Sequence, residues 1–274
     1  MASRKPRAVF TLFLIAGLAC IGLAGCRDGA FNNIYSSEQE QEMGQQAADE
    51  IDSTARMDNS AADNTRVQTI AQAIFAQARK WRPGVPYQIR IIDDPSINAF
   101  SLPGGYIYIY TGLLDKIGSD DDALAAVIGH ETAHVVLRHA VKQMSDEGIK
   151  SSLVDLLGVA TNNYSVYSAA GAAVELQELH YSREDEYQAD KYGLMFAYDA
   201  GYDPYGMIRL FDILEKVDKQ TGTMPQYAED HPLSQTRRLR ALSEIEVLRT
   251  NNGQYPDLAL PHPKTKDGDK NDSP

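Results

Sequence analysis

The pentapeptide from His130 to His134, His-Glu-Thr-Ala-His, is the feature that most limits what this chain can be. Residues four apart lie one turn apart on the same face of an α-helix, so the two imidazoles can reach one metal ion. Apolar residues flank the pentapeptide on both sides and predict a buried helix over residues 120–144. A chance occurrence of the motif on a solvent-exposed helix would not need apolar flanks. The structural alternative is a pair of buried, hydrogen-bonded histidines.

A zinc site is the chemistry that this spacing favours. His130 and His134 would hold Zn²⁺, while Glu131, offset around the helix, would act as the general base toward water. A catalytic zinc needs a third protein ligand and one open position. Leu137 and Ala140 stand where a three-histidine motif would have Gly and His, so the third ligand must come from elsewhere.

A second polar segment, residues 182–190, offers three carboxylates near the start of one predicted helix. Only Glu186 has a further carboxylate, Asp190, four residues on and therefore on its own face. That arrangement suits a metal ligand with a supporting acid that orients a ligating imidazole. The alternative is that acidic residues merely favour the helix N-terminus, which is our interpretation of Glu184 and Asp185 and stays open for Glu186.

The rest of the chain predicts helices around a small sheet. Strands at residues 87–92, 97–102 and 106–110, the last of them half-buried, precede the metal-binding helix. A strand that ends in Pro-Gly-Gly beside this helix can offer an unpaired edge to an extended peptide, and an ordinary hairpin is the alternative. The residues assigned to this edge are Asn98, Ala99, Phe100, Pro103, Gly104 and Gly105. The predicted helices span residues 37–56, 64–81, 120–144, 182–200, 204–219 and 233–249.

Three motifs together resemble a known family. HETAH, the later SREDEYQAD and the earlier NAFSLPGG resemble, in this order, the gluzincin metallopeptidases of the HtpX, BepA and prenyl-CAAX endopeptidase family. The resemblance implies that His130, His134 and Glu186 hold the zinc, that Glu131 is the base and that Asp190 is the supporting acid. The chain is expected to lack the transmembrane helices of HtpX-like members and the C-terminal repeat domain of BepA-like ones. It looks most like the compact periplasmic lipoprotein members.

His231, followed by Pro232, is the remaining histidine expected to reach the site. It could stabilise the oxyanion as a hydrogen-bond donor, or occupy the open zinc position as a latch. Arg237 matches the family's HP…R pattern, which implies that it braces the site or a substrate carbonyl. Helix capping and a surface salt bridge are the alternatives for both residues. His139 and His180 are expected to be ordinary surface or core histidines.

The N-terminus resembles a bacterial secretion signal. A basic start and an apolar stretch lead to residues 23–26, Leu-Ala-Gly-Cys, which resemble a lipobox in which Cys26 would be lipidated. An uncleaved anchor helix is the alternative. By resemblance to Gram-negative lipoproteins, Arg27 after the cysteine favours the periplasmic face of the outer membrane. The formal net charge of −12 disfavours a nucleic-acid binder.

Together these features predict an α+β protein, a mostly helical zincin-like metallopeptidase domain with a small β-sheet. The expected organisation is a signal peptide (1–25), a lipidated tether (26–36), the peptidase domain (37–250) and a flexible C-terminal tail (251–274). The expected cofactor is one Zn²⁺ per chain. By analogy with the family, the partners are unfolded or misassembled envelope polypeptides, with the membrane contacted through Cys26 and no nucleic acid bound.

Rival interpretations remain open at this point. The chain could be a chaperone-like envelope protein with latched, low proteolytic activity. A structural zinc protein would want a fourth fixed ligand, typically Cys, which the mature chain lacks. A secreted protease of thermolysin type is disfavoured by NAFSLPGG and by the lipobox. Residues 145–179 could form a lid over the cleft or a plain helical hairpin of the core.

Overall fold

The computed structural model describes residues 35–146 and 181–251. The predictions for the signal peptide, for Cys26, for His180, for residues 147–179 and for the C-terminal tail lie outside the described residues. The helices are α1 (Ser37–Thr54), α2 (Ala61–Trp81), α3 (Thr111–Ile117), α4 (Asp121–Leu137), α5 (His139–Asp146), α6 (Arg183–Asp199), α7 (Gly206–Thr221), α8 (Gln226–Asp230) and α9 (Gln235–Thr250). The strands are β1 (Gln88–Ile92), β2 (Ala99–Leu102) and β3 (Tyr106–Tyr110).

The three strands form one mixed sheet in the order β1-β3-β2. β1 runs parallel to β3 and β2 runs antiparallel to it, so β2 is an edge strand of this sheet. The fold is therefore the predicted α+β type, mostly helical with a small sheet. In the part of the chain that is described, no helix is both long and apolar enough to cross a bilayer.

β3 is buried on both faces, which corrects the prediction of a half-buried strand. Its isoleucines, Ile107 and Ile109, belong to the main core, whereas Tyr106 and Tyr108 belong to a second apolar cluster under α1. Period-2 alternation separates the two side-chain types correctly. It does not reveal that α1 covers the face that would otherwise meet solvent.

α4 lies at the centre of the main core, packed against α2, α6 and α7. Every residue from Ala123 to Val136 is buried. α4 and α6 are in close backbone contact at two glycines, since a Cβ atom on Gly129 would lie 2.6 Å from the Gly193 carbonyl oxygen. This contact brings the polar side chains of the two helices within reach of one another.

The predicted helix over residues 120–144 is interrupted, which corrects that prediction. α4 ends at Leu137, and Arg138 adopts a left-handed conformation with φ of 60°. α5 then begins at His139. A non-glycine residue with this φ is uncommon and needs support from its surroundings.

That support is a buried ion cluster between α1 and the end of α4. Glu40, 1% exposed, accepts hydrogen bonds from Arg138 Nε at 2.7 Å and from Arg82 Nη2 at 2.6 Å. Arg138 also donates to the Tyr35 carbonyl, and Arg82 donates to the Val135 carbonyl, each at 2.8 Å. The cluster thus fixes the backbone where α4 stops.

Other helix boundaries differ from the predicted ones by a few residues. α1 begins at Ser37, as predicted, and is capped by Ser36 with Gln39 as the reciprocal partner. α2 begins at Ala61, three residues before the prediction. The short helices α3 and α8 carry too little periodic pattern to have been predicted.

Candidate active site

Four buried side chains from three parts of the chain converge between α4 and α6. His130 and His134 lie on α4, Glu186 lies in the first turn of α6, and His231 follows α8. One potential ligand atom from each lies within 4.8 Å of all the others. The structure therefore brings together the three residues expected to hold the metal and adds His231.

The geometry suits one metal ion. The Nε2 atoms of His130 and His134 lie 3.0 Å apart. Glu186 Oε1 lies 3.5 Å from His134 Nε2, and Glu186 Oε2 lies 3.6 Å from His130 Nε2. Two imidazole nitrogens and one carboxylate facing a common point are the donor set of a catalytic zinc site.

Asp190 and Arg237 support His130 from behind. His130 Nδ1 lies 3.0 Å from Asp190 Oδ1, and Arg237 donates to both oxygens of that carboxylate, at 2.7 and 2.8 Å. Burial alone would raise the pKa of Asp190, but the Arg237 guanidinium and His130 outweigh it and lower that pKa to about 2. An ionised Asp190 accepts the Nδ1 proton of His130, which leaves the Nε2 lone pair for a metal. Arg237 also lies 2.8 Å from Glu186 Oε2.

Glu131 is completely buried and held on one side only. Ser101, in the edge strand β2, donates a hydrogen bond from its hydroxyl to Glu131 Oε2 at 3.1 Å. Glu131 Oε1 has no hydrogen-bond partner within the described residues and lies 3.5 Å from His231 Nε2. A buried carboxylate oxygen left without a donor is a candidate general base, since it can accept a proton.

His231 lies among the carboxylates of the site. Its Nδ1 atom is 2.9 Å from Glu186 Oε1 and 3.2 Å from His130 Nε2. Burial opposes a charged ring, but Glu186 and Glu131 outweigh it and raise the pKa of His231 to about 9. The two carboxylates therefore favour the protonated ring, a hydrogen-bond donor, while its position also lets it act as a fourth ligand.

Three contributing residues were missed or misjudged in the sequence. Ser101 lies inside the predicted edge segment, and a polar residue in a strand beside the metal-binding helix was a usable signal. Tyr181 stacks on His134 with ring centroids 3.9 Å apart, and no sequence pattern points to it. His139 is 1% exposed and its Nδ1 atom lies 3.0 Å from that of His134, so it belongs to the site.

The residues expected to bind substrate offer backbone rather than exposed side chains. All six are buried. Asn98 donates to Asp230 Oδ2 at 3.2 Å, and Phe100 stacks on Tyr108 in the second apolar cluster. The Pro103–Gly105 turn packs under α1. Among the described residues, β2 pairs with β3 alone, and its other edge is where the predicted docking of a peptide would take place.

Two histidines one helical turn apart, a carboxylate from a second helix and a buried base beside the first histidine define the site of a metallopeptidase. Comparison with known proteins leads to the same class. The chain belongs to peptidase family M48, whose family model matches residues 61–246. This confirms the metallopeptidase assignment that the three motifs implied.

Individual relatives share this domain. The mitochondrial metalloendopeptidase OMA1 of Schizosaccharomyces pombe is 33% identical over 158 residues, 58% of this chain and 46% of that protein. A putative beta-barrel assembly-enhancing protease of Vibrio cholerae is 28% identical over 209 residues, 73% of this chain and 41% of that protein. The metalloprotease LoiP of Escherichia coli is 27% identical over 250 residues, 85% of this chain and 94% of that protein. The chain thus spans less than half of the first two relatives and nearly all of LoiP.

Proposed function

We propose that this chain is a zinc-dependent endopeptidase that acts on misfolded or stalled proteins of the cell envelope. The observation that carries the proposal is the convergence of His130, His134 and Glu186 beside Glu131 Oε1, which accepts no hydrogen bond from the described residues. A zinc ion held by those three residues would polarise the scissile carbonyl and make water more acidic.

The chain's own residues would perform the proton transfers. Glu131 Oε1 takes a proton from water and then passes it to the leaving amine, while Ser101 keeps Oε2 in place. His231, protonated between two carboxylates, donates a hydrogen bond toward the oxygen that becomes negative. Asp190, itself held by Arg237, keeps His130 in the tautomer that ligates.

The proposed substrates are extended polypeptides. The edge of β2 can pair with a peptide backbone in any sequence context, which suits a protease for unfolded chains. One relative is named a beta-barrel assembly-enhancing protease, which supports misassembled outer-membrane proteins as clients. We further propose anchoring through a lipidated Cys26 at the periplasmic face of the outer membrane. A Cys26→Ser protein that stays in the membrane fraction would contradict that anchor.

Cleavage of an unfolded outer-membrane protein tests the function directly. Protein from Arg27 onward should contain one zinc per chain and should cut the unfolded client. A chelator should abolish the cutting, and added zinc should restore it. Zinc without any cleavage would contradict the protease proposal, and a chain that takes up no zinc would contradict the metal site itself.

Replacing His231 with alanine separates its two possible roles. We expect kcat to fall about 100-fold with KM little changed, as for loss of one oxyanion donor. The measurement is steady-state cleavage of a fluorogenic peptide, with the metal content of each protein determined. Arg240→Ala, which removes an exposed cation from α9, serves as the control.

Higher activity of the His231→Ala protein would instead favour a latched enzyme. The short contacts of His231 with Glu186 and His130 are the observation behind that second candidate, a chaperone-like protein with low resting proteolysis. In that case the wild-type protein should slow aggregation of an unfolded client without cutting it, and the alanine variant should cut.

A further inference from the structure

We propose that His139 is a positioning residue that fixes the tautomer and the ring orientation of the ligand His134 through a His134–His139–Gln188 hydrogen-bond chain. The inference rests on the metal site of the proposed function and goes beyond it. It gives each of the two histidine ligands a partner of different chemistry, a carboxylate for His130 and a neutral imidazole for His134.

The distances determine which ring nitrogen donates and which accepts in each hydrogen bond. His134 Nε2 faces His130 Nε2 and Glu186 Oε1, so Nε2 is the ligating atom and a neutral His134 carries its proton on Nδ1. That Nδ1 atom lies 3.0 Å from His139 Nδ1, which must therefore accept. The proton of His139 is then on Nε2, which lies 3.3 Å from Gln188 Oε1. One tautomer of each ring therefore satisfies both hydrogen bonds, His134 to His139 and His139 to Gln188.

The break at Arg138 makes this contact possible. In a continuous helix, residues five apart point about 140° away from each other, so His139 could not face His134. Because α4 ends at Leu137, α5 does not continue the helix axis of α4. The His134 and His139 rings therefore meet edge to face with centroids 5.0 Å apart. Since Glu40 holds Arg138, the placement of His139 depends on α1 as well.

The charged groups beside the His139 ring pair with each other. Within the described residues, Asp185 Oδ1 lies 3.7 Å from His139 Nε2 and pairs with Lys142 Nζ at 2.7 Å. The ring centroid of Tyr181 lies 6.1 Å from that of His139. Partners that hydrogen-bond a ligating imidazole fix its orientation, and losing one costs about 10- to 100-fold in metal affinity.

Zinc affinity of the protein from Arg27 onward tests the proposal without relying on activity. His139→Leu removes the acceptor, and we expect its zinc dissociation constant to rise about 10- to 100-fold. His139→Asn can place an amide oxygen near the Nδ1 position, and we expect it to stay within about threefold of wild type. Competition with a chromophoric chelator supplies the constants.

A matched variant on the same helix controls for loss of packing. Met144→Ala removes a fully buried side chain of α5 that lies in the second apolar cluster. It should lower the melting temperature of the metal-free protein and leave zinc affinity unchanged. Gln188→Leu should weaken zinc binding less than His139→Leu, because it acts one bond further from the metal.

Three outcomes would decide against the proposal, and they are distinguishable. If His139→Leu binds zinc as tightly as wild type, the role of His139 is wrong while the proposed function stands. If Met144→Ala weakens zinc binding as much as His139→Leu, the effect is one of packing. If the wild-type chain binds no zinc, the proposed metal site fails and this inference fails with it.

Discussion

Glu131→Gln is expected to lower kcat about 10³-fold or more while the protein keeps its metal. General acid–base groups contribute about 10²- to 10⁴-fold, and the amide cannot accept the proton that Glu131 Oε1 is placed to take. The substitution keeps the shape of the side chain and an oxygen that can accept the Ser101 hydrogen bond. Single-turnover cleavage and metal analysis of both proteins would measure the effect.

Glu184→Gln is the matched control, because Glu184 is exposed on α6 and two residues from Glu186. It loses the same charge without touching the site, so its kcat should stay close to wild type. A Glu131→Gln protein with more than a tenth of the wild-type kcat would show that another group is the base. Loss of the metal together with activity would make the variant uninformative about proton transfer and would show that Glu131 supports the ligands.

Glu40→Ala is expected to reduce the free energy of unfolding by about 3–5 kcal/mol, the cost of removing one partner from a buried ion pair. Two guanidiniums, those of Arg82 and Arg138, would remain with side chains only 13% and 14% exposed and without their carboxylate. The same change frees Arg138 from the contact that supports its left-handed backbone. Urea unfolding of the metal-free protein, monitored by circular dichroism, measures the difference.

Glu38→Ala supplies the comparison on the same helix, since Glu38 is exposed and should cost less than about 0.5 kcal/mol. A loss below about 1 kcal/mol for Glu40→Ala would mean that the cluster relaxes or hydrates without its acid. The result also shows whether α1 contributes to the stability of the peptidase domain. α1 precedes the residues that match the family model, yet its Glu40 supports the turn that leads into α5.

The two histidines of the HExxH motif have hydrogen-bond partners of different charge. His130 is backed by an ionised carboxylate whose own partner is Arg237, whereas His134 is backed by a neutral imidazole. A carboxylate partner raises the basicity of a ligating imidazole more than a neutral one does. We therefore expect His130 to be the stronger donor to a metal, because the partner of its ring carries a charge.

The sequence by itself determined the parts of the site that depend on local periodicity. Side chains four residues apart share a helix face, so the pairing of His130 with His134 and of Glu186 with Asp190 follows from spacing. The alternation of Tyr and Ile likewise specified β3 and its two faces. These relations hold within one element, and no other part of the chain is needed to infer them.

Only the tertiary structure decided the remainder. The left-handed turn at Arg138 requires Glu40, which lies 98 residues earlier in the chain, so no local pattern could show that the predicted helix would break. The contacts of Ser101 with Glu131 and of His139 with His134 follow from how β2 and α5 pack against α4. Each depends on burial and on hydrogen bonds between different elements, and such interactions form only when the elements pack together.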